Sequence, residues 1–197
     1  MPRFFRELSA LAAAHEVFLA FDEVQTAGGQ CGSLFALDLL DLPYPPEAVA
    51  VAKKFGNGVL YMRQSLRDIG LLDSTWGGSL TDMVRVVQEF RIVEREGLMG
   101  AVASKAERLV DGLIALERRY PDLVFNVRGM GLYQGFSIRE PTDRDRLLTV
   151  ALELERLLLL AAGAQSIRLR PPLDVSLDEI NELLARLDRA LGSLGSN

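Results

Sequence analysis

The sequence is poor in the residues that most often build metal sites, disulfides and membrane spans. Cys31 is its one cysteine, which excludes an internal disulfide and favours a reducing compartment. His15 is its one histidine, so histidine-based metal sites and Ser-His-Asp triads have little support. The longest apolar run, 157–162, is far shorter than the ~20 residues of a membrane span. We therefore expect a cytoplasmic protein that has no metal site, no signal peptide and no membrane segment.

Charge and apolar content narrow the class of protein further. The net charge of −5 argues against a nucleic-acid partner. The 197 residues are 49% apolar, with a mean hydropathy of +0.14, which is ample for a sizeable core. This length suits one large domain or two small ones.

A short apolar run that ends in two carboxylates is the most informative stretch of the chain. Residues 17–21 are apolar, Asp22 and Glu23 follow, and a glycine-containing loop extends to Gly32. Such a run predicts a fully buried strand in a parallel sheet. Carboxylates at the carboxyl end of such a strand lie where open α/β sheets bind ligands. The alternative is that Asp22 caps the next turn and that Glu23 is solvated.

A second apolar run has the same form and ends in two lysines. Residues 48–52 predict another buried strand, followed by Lys53 and Lys54 and then by a glycine-containing turn. Because parallel strands end at one edge of their sheet, we expect Asp22 and Lys54 to lie at the same edge.

The remaining pattern predicts an α/β protein with two parts. We expect a mostly parallel sheet in a partial large domain over 1–78, a connecting helix over 79–96 and an α+β small domain over 97–197. The apolar residues of the connecting helix, including Met83 and Phe90, are expected to pack in a core. The periodicity predicts helices at 2–14, 34–40, 79–96, 98–120, 143–155 and 176–192, and strands at 17–21, 48–52, 59–62, 124–128, 132–138, 157–160 and 167–170.

Several polar residues stand at the ends of these elements. A lysine that can bond an aldehyde, an acid for a pyridine nitrogen and an arginine for a carboxylate are what pyridoxal-phosphate chemistry needs. The candidates are Asp22, Gln25, Lys54, Ser74, Thr75, Arg168 and Arg170.

Five short motifs carry a resemblance to a known family. They are FDEVQT, the AKK stretch, DSTWGG with TDM after it, RGMGL and IRLRPPL. In this order and spacing the sequence resembles the class III (ω-)aminotransferases, which have the pyridoxal-phosphate fold of type I. Within that family the likeness is greatest to lysine 6-aminotransferases, followed by 4-aminobutyrate aminotransferases.

The resemblance implies a role for each cofactor residue. Asp22 would pair with the pyridine nitrogen of pyridoxal 5'-phosphate, and Gln25 would reach its phenolic oxygen. Lys54 would bind the cofactor covalently and later move a proton, with Lys53 as the alternative. Thr75, with Ser74 beside it, would bind the cofactor phosphate of the other subunit in a homodimer.

The resemblance also implies the substrate contact. Arg170 would hold the substrate carboxylate through a bidentate contact that lysine could not replicate. The strand pattern agrees, because Ile167 and Leu169 should face the core while Arg168 and Arg170 share the other face. Arg168 is expected to be structural.

The likeness covers the carboxyl-terminal half of the family's proteins and leaves two hypotheses. One is part of an enzyme that moves a terminal amino group, such as the ε-amine of lysine, to 2-oxoglutarate, with 4-aminobutyrate as the alternative donor. The other is a truncated, inactive fragment, or a dimerisation and regulatory partner for a full-length homologue. As one piece of a split enzyme, the chain would need a complementing amino-terminal half.

Overall fold

The computed structural model describes residues 2–65 and 75–194 of the chain, which divides into two compact units. The first unit is Met1–Met99 and the second is Gly100–Asn197. The predicted α/β class with an additional α+β part is confirmed. No helix in the described ranges is long and apolar enough to cross a membrane.

The described residues of the first unit form a three-stranded sheet and two α-helices. Its sheet has the order β1-β2-β3, with β1 parallel to β2 and β3 antiparallel to β2. The predicted mostly parallel sheet is therefore mixed in the described part of the chain. The elements are α1 (Pro2–Ala14), β1 (Ala20–Asp22), β2 (Ala48–Val51), β3 (Val59–Met62) and α2 (Leu80–Arg95), with short 3-10 helices at Ala36–Leu39 and Lys53–Phe55.

The first strand is shorter and more exposed than its apolar sequence predicts. It begins at Ala20, whereas Val17 and Phe18 precede it and remain 57% and 61% exposed. β1 is an edge strand of the described sheet and has β2 as its one neighbour there. The prediction of a fully buried strand over 17–21 is therefore wrong for this structure, because burial on both faces requires covering layers that local sequence does not encode.

The core of the first unit lies between the sheet and the loop that follows β1. Ala27, Val51 and Phe55 are buried together, and Phe90 of α2 packs against them. The rings of Phe55 and Phe90 meet edge to face, with centroids 5.2 Å apart. Phe90 therefore has the core role that its spacing predicts.

The rest of the apolar face of α2 is not in a core. No residue of α2 is fully buried, and its exposed apolar side chains include Leu80, Met83, Val84 and Val87. The expectation of core packing is wrong for Met83, which is 48% exposed. Helical periodicity identifies an apolar face, but it does not supply the surface that covers the face.

The second unit is a four-stranded sheet with helices packed against it. The strand order is β4-β5-β7-β6, and all three neighbouring pairs are antiparallel. Predicted strand 157–160 is shifted, because the observed strand begins at Leu160, while the other strands lie close to their predicted positions. The elements are α3 (Val102–Arg119), β4 (Val124–Met130), β5 (Tyr133–Ile138), α4 (Pro141–Glu153), β6 (Leu160–Ala162), β7 (Ser166–Leu169) and α5 (Leu177–Leu194).

One face of the second sheet packs on the helices. Phe136, Ile138, Ile167 and Leu169 alternate with polar residues and are buried. A β-carbon on Gly112 of α3 would lie 2.2 Å from a terminal methyl carbon of Leu184, which shows how closely α3 and α5 approach.

The last helix begins at the residue that the sequence indicates. The Ser176 hydroxyl accepts a hydrogen bond from the Glu179 backbone N–H at 3.2 Å, and the Glu179 carboxylate accepts from the Ser176 backbone N–H at 2.8 Å. This reciprocal pair is a capping box. It lowers the pKa of the Glu179 carboxyl, because the backbone N–H and then the hydroxyl of Ser176 stabilise the charged form.

Candidate active site

Asp22 and Lys54 lie at the same edge of the first sheet. β1 ends at Asp22, whose register partner in parallel β2 is Ala50. β2 ends one residue later at Val51, and Lys53 and Lys54 then begin a 3-10 helix. The predicted placement of the acid and the lysine at the ends of two parallel strands is confirmed.

The loop after β1 packs closely against the Cβ of Lys54. Gly28 in this loop has φ +94°, and a β-carbon built on it would lie 2.5 Å from the Lys54 Cβ. The Gly28 N–H donates to the Leu34 carbonyl at 2.8 Å, which closes the loop. Only a residue without a side chain fits at this point, because real β-carbons do not approach so closely.

The two neighbouring lysines differ in their surroundings. Lys54 is half-buried against Gly28, and its amine forms no ion pair with any residue in 2–65 or 75–194. Lys53 is exposed and adopts φ +54°. Lys54 is thus the lysine whose stem the fold constrains.

The carboxylate of Asp22 accepts a hydrogen bond from a nearby backbone N–H and remains accessible to solvent. The Val24 N–H donates to Asp22 Oδ1 at 2.9 Å, which forms the turn after β1. The other carboxylate oxygen has no hydrogen-bond partner in the described part of the chain, and the residue is exposed. The carboxylate can therefore cap the turn and accept a further hydrogen bond from a ligand.

Glu23 is buried, contrary to the alternative in which it is solvated. It is 2% exposed and accepts hydrogen bonds from the Ala36 N–H at 2.8 Å, the Leu37 N–H at 2.7 Å and the Thr26 hydroxyl at 2.9 Å. These contacts join the two ends of the loop that contains Gly28. Sequence reasoning missed this role, because the three donors include two backbone groups more than ten residues away.

Gln25 and Thr75 are also in the first unit. Gln25 is half-buried in the turn that follows Asp22. Thr75 is exposed in the turn that precedes α2, a helix whose Ser79 cap accepts from the Asp82 N–H at 3.4 Å. Ser74, the other predicted phosphate contact, lies outside the described residues.

Arg168 and Arg170 belong to the second unit. Ile167 and Leu169 are buried and Arg168 and Arg170 are half-buried, so the predicted alternation is confirmed. Arg170 directly follows β7 and precedes Pro171 and Pro172, which stiffen the backbone after it.

The family is defined by comparison with known proteins. The profile described as "Aminotransferase class-III" matches residues 1–191. The chain therefore belongs to the class III aminotransferases, a family of pyridoxal-phosphate-dependent transaminases.

Two curated relatives that are similar in sequence to this chain have different activities. It is 36% identical to the L-lysine-epsilon aminotransferase of Mycobacterium tuberculosis over 198 aligned residues, which are 96% of this chain and 43% of the relative. It is 35% identical to the acetylornithine aminotransferase of Prochlorococcus marinus, covering 95% of this chain and 46% of the relative. The chain spans less than half the length of these curated relatives.

A solved structure confirms the fold. The lysine aminotransferase from M. tuberculosis superposes with a TM-score of 0.89 at 34% identity, covering 98% of this chain and 46% of the other. The resemblance to the carboxyl-terminal part of a type I pyridoxal-phosphate fold is thus confirmed.

The residues at the sheet edge fit the cofactor of the family. Asp22 offers an exposed carboxylate oxygen, and Lys54 offers an amine without an ion-pair partner among the described residues. An acid and a nucleophilic amine are the two groups that this cofactor requires from a protein.

Proposed function

We propose that this chain is part of a transaminase that moves the ε-amino group of lysine to 2-oxoglutarate with pyridoxal 5'-phosphate as cofactor. The observation that carries the proposal is the position of Asp22 and Lys54 at the ends of parallel β1 and β2, with Gly28 against the lysine stem. The 36% identity to an L-lysine-epsilon aminotransferase supports lysine as the donor.

The cofactor, when bound, supplies an electron sink that stabilises negative charge on the carbon bearing the amino group. Asp22 would accept a hydrogen bond from the protonated pyridine nitrogen through the carboxylate oxygen that Val24 leaves available. Gln25 would donate to the phenolic oxygen. Lys54 would form the covalent attachment to the cofactor and would supply the amine that accepts and returns a proton during the transfer.

The remaining roles concern phosphate and substrate. Thr75, with Ser74 before it, would donate to the cofactor phosphate of the partner subunit in a homodimer. Arg170 would bind a carboxylate of the donor or of 2-oxoglutarate through two parallel N–H donors. A cytoplasmic location, which the single Cys31 favours, remains a prediction.

Two alternatives have support of their own. A 4-aminobutyrate aminotransferase of Rattus norvegicus is 31% identical over 86% of this chain, which keeps 4-aminobutyrate as a second candidate donor. This chain covers 43% of the length of the L-lysine-epsilon aminotransferase of M. tuberculosis. An inactive fragment or a dimerisation partner is therefore the other candidate.

The decisive experiment locates the lysine that binds the cofactor. The chain is incubated with pyridoxal 5'-phosphate, alone and co-expressed with the non-overlapping part of the M. tuberculosis relative, then reduced with borohydride and analysed by peptide mass spectrometry. We expect the pyridoxyl group on Lys54, its loss in Lys54→Ala and its retention in Lys53→Ala. A label on Lys53 would contradict the assignment.

The same preparation tests the donor. Formation of glutamate from 2-oxoglutarate is measured with lysine, 4-aminobutyrate and N-acetylornithine, and lysine should give the highest kcat/KM. Cofactor labelling without glutamate formation in either preparation would favour the inactive alternative.

A further inference from the structure

The turn that carries Lys54 has a backbone conformation that needs support from neighbouring elements. Lys53 begins the 3-10 helix after β2 with φ +54°, and Gly56 follows its last residue with φ +66°. A left-handed φ is unfavourable for lysine, because its Cβ then lies too close to a carbonyl oxygen. Such a conformation persists only where contacts from the surrounding structure fix it.

Helix α2 makes such contacts with the turn. The Arg85 guanidinium donates from Nη2 to the Gly56 carbonyl oxygen at 2.8 Å. A β-carbon on Gly56 would lie 2.7 Å from Cγ2 of Val86, so the turn and the helix are in close contact. Phe55 is buried, and its ring meets the ring of Phe90. The turn is therefore attached to α2 by one polar contact and one apolar contact.

Two carboxylates of the same helix orient the Arg85 side chain. Asp82 Oδ1 is 3.1 Å from Nη2 of Arg85, and Glu89 Oε1 is 3.7 Å from its Nε. These acids are three residues before and four residues after the arginine, the spacings at which helical side chains are neighbours. Because the Arg85 donor is charged, its bond to the Gly56 carbonyl is stronger than a bond between neutral groups.

We propose that Arg85 is a positioning residue for Lys54 and that it acts through the Gly56 carbonyl. The bond stabilises the turn in which Lys53 is left-handed, and the turn sets the direction in which the Lys54 side chain leaves the backbone. With Arg85 in place, the base of the Lys54 side chain stays packed against Gly28. Without it, the turn opens more often, and the two lysines compete for the cofactor aldehyde.

This inference rests on the proposed role of Lys54 and adds a residue that sequence reasoning did not find. Arg85 is exposed and is 29 positions from Gly56 in the chain. From sequence alone, an arginine between two acids on a helix predicts a surface ion pair of little consequence. The contact with the turn is visible only in the folded first unit, which contains every residue involved.

The first measurement needs no cofactor. Hydrogen–deuterium exchange is followed by mass spectrometry on the full chain, co-expressed with the non-overlapping part of the M. tuberculosis relative. The Gly56 N–H donates to the Lys53 carbonyl at 2.8 Å, so its exchange reports opening of the turn. In Arg85→Gln this exchange should be about three- to tenfold faster, because a charge-assisted bond at an exposed site is lost.

The matched control is Arg91→Gln. Arg91 is exposed on the same helix, and its removal changes the net charge equally. Exchange of the Gly56 N–H should be the same in this variant as in the wild type.

The second measurement identifies the lysine that is modified. The same proteins are treated with pyridoxal 5'-phosphate and borohydride at a temperature where they are folded, and the ratio of label on Lys54 to label on Lys53 is determined. Arg85→Gln should lower this ratio about three- to tenfold. Arg85→Lys should restore most of it, because a single N–H donor suffices for the Gly56 carbonyl. A purely structural role for Arg85 would lower stability and leave the ratio unchanged.

The outcomes separate this inference from the proposed function. A wild-type label on Lys53, or no label, would overturn the proposed role of Lys54 and this inference with it. A wild-type label on Lys54, with equal exchange or an equal label ratio in Arg85→Gln and Arg91→Gln, would overturn this inference alone. If Arg85→Gln does not fold, Asp82→Asn is the second variant, because it removes a carboxylate that orients Arg85, and both measurements should shift in the same direction.

Discussion

Gly28 lies directly against Lys54, so closely that a β-carbon on Gly28 would be 2.5 Å from the Lys54 Cβ. The loop after β1 and the turn after β2 are therefore fitted to each other at the lysine that we assign to the cofactor. Gly28 also has φ +94°, a backbone conformation that residues with a side chain rarely adopt.

The first prediction concerns this contact. Gly28→Ala should lower the free energy of unfolding by about 2–5 kcal/mol, since a backbone penalty adds to steric overlap with Lys54. Urea denaturation measures the loss. Gly97→Ala is the matched control, because Gly97 has φ +61° but a β-carbon added to it would meet no described atom within 4 Å. Equal losses in the two variants would show that the Lys54 contact has no effect on stability.

The second prediction concerns the buried carboxylate of Glu23. Glu23→Ala should lower the free energy of unfolding by about 2–5 kcal/mol, because the N–H groups of Ala36 and Leu37 lose their acceptor. Glu23→Gln keeps one acceptor oxygen and should cost less. Glu7→Ala removes an exposed carboxylate paired with Arg3 and should cost under about 1 kcal/mol. Chemical denaturation of the three variants measures these losses in the free energy of unfolding. A loss for Glu23→Ala that is no larger than the loss for Glu7→Ala would show that Glu23 does not stabilise the loop.

The third prediction concerns Arg170 in the enzyme complemented with the amino-terminal part of a relative. Arg170→Ala should lower kcat/KM for 2-oxoglutarate and carboxylated donors about ten- to hundredfold, since a charge-assisted bidentate contact is lost. An amine donor without a carboxylate should lose little in its own half-reaction, and the absorbance of the bound cofactor should hardly change. Equal losses for all donors, together with an altered cofactor spectrum, would show that Arg170 is structural.

The fourth prediction concerns stability at alkaline pH. Burial, followed by the hydrogen bond to Asp188, raises the pKa of Tyr120 above its ordinary value of 10.0. The Tyr120 hydroxyl donates to Asp188 Oδ1 at 2.8 Å. Because the folded state favours the neutral phenol, its stabilisation is complete below pH 10.0 and is lost as the pH rises through the higher folded-state pKa.

Tyr120→Phe should therefore lose about 0.5–1.5 kcal/mol at neutral pH, and its disadvantage should shrink above about pH 10. Denaturation of wild type and variant between neutral pH and pH ~11 measures both effects. Tyr44→Phe is the control, because Tyr44 is exposed. A disadvantage for Tyr120→Phe that stays constant across this range would refute the linkage.

Much of the fold and part of the site could be predicted from local sequence. The alternation of Ile167 and Leu169 with Arg168 defines the two faces of β7, because strand residues alternate with a period of two. The apolar runs before Asp22 and Lys53 predict two strands, and parallel pairing places their ends at one edge. These features depend on periodicity and on chain direction, which a sequence contains.

The tertiary structure alone decided what lies against these residues. Three contacts join residues that are between 13 and 38 positions apart: Glu23 with Ala36, Gly28 with Lys54, and Arg128 with Ser166. The exposure of the apolar face of α2 likewise depends on whether another surface covers it. Local periodicity predicts that a face is apolar or that a turn is tight. It does not specify the distant group that fills the space, because that group is selected by packing and hydrogen bonding among elements brought together only when the chain folds.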